Sequence, residues 1–170
     1  MMERILIIGG NGCGKTTLSR QLAARLSLPL VHLDALYWGD NWQPVQQERF
    51  DRLLQRELEK PRWIIDGNIT RTLPRRLQYC DTVIVMDFSR SRCLLGAVKR
   101  MMKSYGRSRP DMGGNCPERL NGEKLRFLWS IWRNHEAQRR KWYAALDGVE
   151  NVRRVTLKNR RQVRAFLEGL

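Results

Sequence analysis

A chain of 170 residues, 42% hydrophobic and 29% charged, has the length of a single domain able to bury a core without disulfide or metal staples. It holds no run of about 18 apolar residues and no charged and apolar leader, so a cytoplasmic protein with no membrane segment is expected. The net charge of +15 is uneven: residues 1–89 hold 12 Lys/Arg against 10 Asp/Glu, and residues 90–170 hold 20 against 7, which suits either a nucleic-acid surface or arginines directed at phosphates.

The first strand is Ile5-Leu6-Ile7-Ile8, a short apolar run suited to a buried parallel sheet, and Gly9-Gly10-Asn11-Gly12-Cys13-Gly14-Lys15-Thr16-Thr17 follows it. This segment fits G-x-x-x-x-G-K-[ST] at every fixed position, and Leu18, Leu22 and Leu26 then recur at helical spacing. Strand, loop and helix in that order form a phosphate-binding loop. The glycines let the backbone wrap a triphosphate with N–H groups turned inward, and the helix adds the positive end of its dipole. Lys15 is expected to reach the β- and γ-phosphates, and the Thr16 hydroxyl to ligate Mg²⁺.

The first helix, about 15–27, ends before Pro29, and Leu30 to Asp34 reads as a second strand with Asp34 at its carboxyl end. Ligands bind at that edge of open α/β sheets, so Asp34 is a candidate for Mg²⁺ or for the proton of an acceptor hydroxyl. His32 inside the strand reads as packing. Residues 35–60 form an acceptor-binding segment, a loop with Tyr37, Trp38 and Trp42 followed by a helix carrying Phe50, Leu54 and Leu58. Trp38 and Trp42 either stack on a ring or pack that helix; the sequence leaves both open.

Trp63-Ile64-Ile65 is a third strand, with Asp66-Gly67-Asn68 at its end. Asp66 is a second carboxylate on the ligand edge, facing metal or acceptor, and Arg71 after it is a candidate for an anionic acceptor group. Asp81 to Asp87 is a fourth, fully buried strand. The helix after it carries Leu94, Leu95, Val98, Met101, Met102 and Tyr105 on an apolar face, with Arg90, Arg92, Lys99, Arg100 and Lys103 read as mostly solvated. Periodicity then breaks over 106–122, a lid whose Arg107 and Arg109 would bring charge to a transferring phosphoryl group, with Asp111 to tether them. In the long helix 123–147, Leu125, Leu128, Trp132, His135, Arg139, Trp142 and Leu146 are placed on one face, and Arg139 on that stripe is a candidate for the donor phosphates. Arg126, Arg133 and Arg140 form a separate stripe. Val152 to Leu157 is a fifth strand, and Lys158-Asn159 opens the last helix. Cys13, Cys80, Cys93 and Cys116 have no C-x-x-C spacing and do not cluster with His32 or His135, so free thiols are expected.

Five strands alternating with helices, each with polar residues at its carboxyl end, indicate one three-layer α/β domain over 1–170 with a parallel sheet and helices on both faces. The phosphate loop, the Asp66-Gly67 step with Arg71, and the arginine-bearing lid before a long helix resemble the adenylate kinase-like group of small P-loop kinases. That resemblance implies the sheet order 2-3-1-4-5, an adenine site bordered by Lys158 and Asn159, and an acceptor grip by Arg71, one residue displaced from the group's own pattern. More narrowly, His32-Leu33-Asp34, Trp63 to Asn68, Arg107 to Met112 and Cys116-Pro117-Glu118 resemble the DNA topology modulation proteins (FlaR-like) over nearly the whole chain. The function expected is transfer of the ATP γ-phosphate, with Mg²⁺, to an unidentified small-molecule acceptor. A nucleic-acid-binding regulatory ATPase using the basic C-terminal half, and a polynucleotide-end kinase, are the alternatives, and a monomer or dimer fits either.

Overall fold

The computed structural model describes residues 2–170. Its strands are β1 (Arg4–Gly9), β2 (Leu30–His32), β3 (Trp63–Asp66), β4 (Thr82–Met86) and β5 (Arg153–Leu157). The helices are α1 (Lys15–Leu26), α2 (Leu33–Tyr37), α3 (Gln47–Leu58), α4 (Leu73–Leu77), α5 (Arg90–Lys103), α6 (Gly122–Asp147) and α7 (Arg160–Glu168). Short 3-10 turns lie at Asp40–Trp42 and Thr70–Thr72. All strand pairs are parallel, in the order β2-β3-β1-β4-β5, the order the resemblance implies. Ile5 is centred between Ile64 of β3 and Thr82 of β4.

Because successive side chains of a strand point to opposite faces, the apolar run of β1 feeds two cores. Ile5 and Ile7 join Leu18 and Leu22 of α1, Cys93 and Ala97 of α5 and Leu167 of α7 on one side. Leu6 and Ile8 join Phe50, Leu54 and Leu58 of α3 and Leu73 and Leu77 of α4 on the other. α6 belongs to both. Ile131 packs in the first core, Trp142 and Leu146 in the second, so the helix runs past the carboxyl end of β4 from one face to the other. Its first turn is closed by Asn121, whose Oδ1 accepts from the Lys124 N–H.

Two sequence expectations are corrected here. β2 stops at His32, and Asp34 lies in the first turn of α2, because Leu33 turns into the core and starts a helix. Leu95, Met102 and Tyr105 after β4 and Leu125 and Trp132 on α6 are not on a buried face: all five are exposed, and on α6 Ile131 takes an inner position beside the expected His135, because only one stripe of each helix meets the core.

Candidate active site

The phosphate loop runs from the end of β1 to α1. Gly14 at φ 101° precedes the first turn, and no side chain caps it, whereas Asn121 and Asn159 cap α6 and α7. An anion is the natural partner of such uncapped N–H groups. Lys15 folds back along the loop, its Nζ donating to the carbonyls of Gly9 at 2.8 Å and Gly10 at 3.0 Å. Gly9 and Gly12 of the loop leave no room for a side chain. A Cβ on Gly12 would stand 2.2 Å from the Cys93 carbonyl oxygen, and one on Gly96 would stand 2.1 Å from that of Gly12, so α5 lies directly on the loop. Thr16 and Asn11 are half-buried, Cys13 is buried, and Thr17 is exposed at the outer rim.

At the neighbouring strand ends, Asp66 is buried and both its oxygens are engaged. Ser19 Oγ on α1 donates to Oδ2 at 2.6 Å, and His32 Nδ1 lies 2.7 Å from Oδ1. His32 therefore orients a carboxylate and is not mere packing. Asp34 stands close to the same charges. Burial pushes its carboxyl up, and the opposing charges of Lys15 and Arg109 only partly offset this.

The 106–122 segment, the expected lid, is seated on the aromatic loop that follows α2. The Asn41 N–H donates to the Asn115 carbonyl at 2.8 Å, Asp40 Oδ1 accepts from the Asn115 N–H at 2.7 Å, and Trp42 Nε1 donates to the Pro117 carbonyl at 3.1 Å. Trp38 and Trp42, 5.8 Å apart edge to face, thus build the seat of the lid. Under it, Arg109 pairs with Asp111 at 2.9 Å and lies 3.4 Å from Glu118, which also pairs with Lys124. Asp111 is the expected tether, for Arg109; Arg107 is exposed at the start of the lid.

Arg100 was read as solvated and is not. From the third turn of α5 it reaches the same cluster, where burial lowers its basicity and the charge of Arg109 adds to that effect. The Nε atoms of Arg100 and Arg109 are both shielded from solvent and make no hydrogen bond. Cys93, Gly96, Ala97 and Arg100 share the loop-facing side of α5, and small residues at that spacing were the signal for close approach.

Other candidates are held elsewhere. Arg71 forms a two-pronged pair with Asp51 of α3, at 3.0 and 2.6 Å, on the surface. Arg139 does not turn to the loop: its Nε and Nη2 donate to Asp87 at 2.6 and 2.9 Å, and Tyr143 adds a bond of 2.9 Å. Burial alone would raise the Asp87 pKa, but these bonds and the Arg139 charge outweigh it and hold the carboxyl below the usual range. Asn159 Oδ1 accepts from the Gln162 N–H, and Lys158 is exposed after β5. Near them a cavity of about 470 Å³ opens between α1 and α7, lined by Thr17, Gln21, Phe88, Arg160 and Arg164 among others.

Comparison with known proteins places this geometry in context. The family model described as "ATPase family associated with various cellular activities (AAA)" matches residues 5–78, which include the phosphate loop. No curated protein matches the chain in sequence. Among solved structures, a shikimate kinase from Acinetobacter baumannii in complex with shikimate is similar at 14% identity and TM-score 0.61, over 99% of this chain and 90% of that one. A shikimate kinase from Bacteroides thetaiotaomicron is similar at 15% identity and TM-score 0.56, over 99% and 96%. At such identities the likeness establishes the fold: the chain has the five-stranded parallel sheet, order β2-β3-β1-β4-β5 with helices around it, of a P-loop kinase fold.

Proposed function

We propose that the chain is an ATP- and Mg²⁺-dependent phosphotransferase that moves the γ-phosphate to a small hydroxyl-bearing acceptor. One observation carries this reading: the charges of Lys15 of the loop, Arg109 of the lid and Arg100 of α5 all act on one carboxylate, Asp34, and the Arg100 Nε is shielded from solvent without a hydrogen bond. Cations converging beside the loop are suited to phosphate oxygens, and phosphoryl transfer needs mainly such positioning and neutralisation.

In this reading the amides of residues 9–17 and Lys15 hold the donor phosphates, with Arg100 and Arg109 closing over them and Arg107 at the rim. The hard oxygens of Thr16, Asp34 and Asp66 suit Mg²⁺, which would neutralise charge on the phosphates. Asp34 takes the acceptor's proton in this reading, and its raised pKa suits a base. Lys158 and Asn159 border the adenine beside the α1–α7 cavity. Arg71 serves the acceptor if an anionic group displaces Asp51. Arg139 acts through Asp87, as a positioning residue for the β4 end.

The test is ADP formation from Mg²⁺-ATP with a panel of nucleotides, nucleosides and hydroxylated metabolites, using Lys15→Ala as control. ADP that depends on one acceptor and vanishes in the variant supports the reading and names the substrate. ADP release indifferent to every acceptor but raised by DNA would replace it with the regulatory ATPase.

A further inference from the structure

Eight large apolar side chains are exposed among the described residues, and seven of them lie between Leu95 and Trp132. That concentration is not the scatter of a normal surface. On α6, Leu125 and Trp129 are 57% and 59% exposed and share a flank with Trp132, at steps of four and three residues. On α5, Leu95 and Met102 are 60% and 69% exposed, two turns apart. The two helices pack together, and Arg90 from the start of α5 lies 4.2 Å over the Trp132 ring of α6. Arg133 lies 4.8 Å over Trp129 in the same way. The stretch from Arg90 to Arg133 holds 11 Lys/Arg against 3 Asp/Glu; with Asp111 and Glu118 and the cations of their cluster, Arg100, Arg109 and Lys124, set aside, eight exposed Lys/Arg stand against one exposed acid, Glu123.

We propose that this outer face of the α5–α6 pair docks on an anionic lipid surface. Tryptophan, leucine and methionine interleaved with arginine and lysine match the interfacial zone of a bilayer, where apolar side chains leave water and cations meet phosphate headgroups. A polynucleotide would use the indoles and the arginines but leave Leu95, Met102 and Leu125 in water. A second copy of the chain would bring the same excess of positive charge against itself. Docking of this kind is adsorption; no helix among the described residues is long and apolar enough to cross a membrane. It is independent of phosphotransfer, since none of these side chains belongs to the loop or the lid cluster.

The experiment is co-sedimentation of the full chain with vesicles of phosphatidylcholine alone and with about a third phosphatidylserine, a fraction that gives a strongly negative surface. Binding to the anionic vesicles only, weakened by salt, is expected, and Leu125→Ser with Trp129→Ser should cut the partition coefficient about tenfold or more at unchanged charge. Unchanged ATP binding by that double variant shows that it is folded. Absence of vesicle binding, or equal binding by the variant, would overturn the proposal. Variant-sensitive binding to a single-stranded oligonucleotide without vesicle binding, or variant-sensitive dimerisation without it, would reassign the face to those partners.

Discussion

Arg76 is fully buried, and its guanidinium donates to the Gly67 carbonyl at 3.3 Å, the Ile69 carbonyl at 2.8 Å and Thr72 Oγ1 at 3.2 Å. Burial pushes its pKa down to about 9, still charged at neutral pH. It fastens the turn after Asp66, so Arg76→Ala should cost about 3 kcal/mol in urea unfolding, because it removes the donor from the buried Gly67 carbonyl and opens a cavity. The two perturbed aspartates have opposite signatures. Asp34 has a folded pKa above its unfolded value, so its charge opposes folding once the pH exceeds the folded pKa. Asp34→Asn should therefore raise the urea midpoint at pH 7, with the gain vanishing as the pH falls below about 4, while phosphotransfer is lost. Asp87 has a lowered folded pKa, so the stability it contributes is present above about 4 and is lost as the pH falls through the folded value. A wild-type acid unfolding limb that becomes shallower in Asp87→Asn is the expected result. The loop residues were legible because their pattern is local. Arg71 and Arg139 were not, because the carboxylates that capture them lie 20 and 52 residues away, and nothing in a helical period announces such partners.

At the scale of elements, the contact of α5 with the phosphate loop is the most demanding. Alanine in place of a helical glycine ordinarily stabilises by about 1 kcal/mol. At Gly96 the sign should reverse, because the added Cβ meets the Gly12 carbonyl. Gly96→Ala is expected to lower the thermal midpoint and weaken ATP binding together. The lid rests on similar contacts: a Cβ on Gly113 would stand 1.9 Å from the Ala35 carbonyl oxygen. Gly113→Ala should lift the lid and expose Arg107 and Arg109 to trypsin, seen as a new early cleavage. The α6 stripe shows why periodicity alone misplaced Leu125. Steps of three and four residues average 3.5, a straight helix turns every 3.6, and the drift of about 20° per heptad carries the start of the stripe away from Leu146. Leu125 and Trp132 swing out, Ile131 comes in, and His135 stays on the inner face as expected.

For the whole molecule, the alternation of strands and helices was readable from apolar runs and breakers, and the strand order from resemblance, because both follow from how parallel sheets connect. The docking of the lid on the aromatic segment was not readable, since its bonds join a side chain of one to the backbone of the other, 75 residues apart. The same docking brings Arg109 to Arg100, and their convergence with Lys15 is the central claim. Calorimetric titration of ATP, ADP and AMP into wild type, Arg100→Ala and Arg109→Ala measures it most directly. Each variant should lose ATP affinity about tenfold or more, as expected for removing a charge-assisted bond to phosphate, with AMP binding little changed. Two variants that bind ATP as tightly as wild type would contradict the claim.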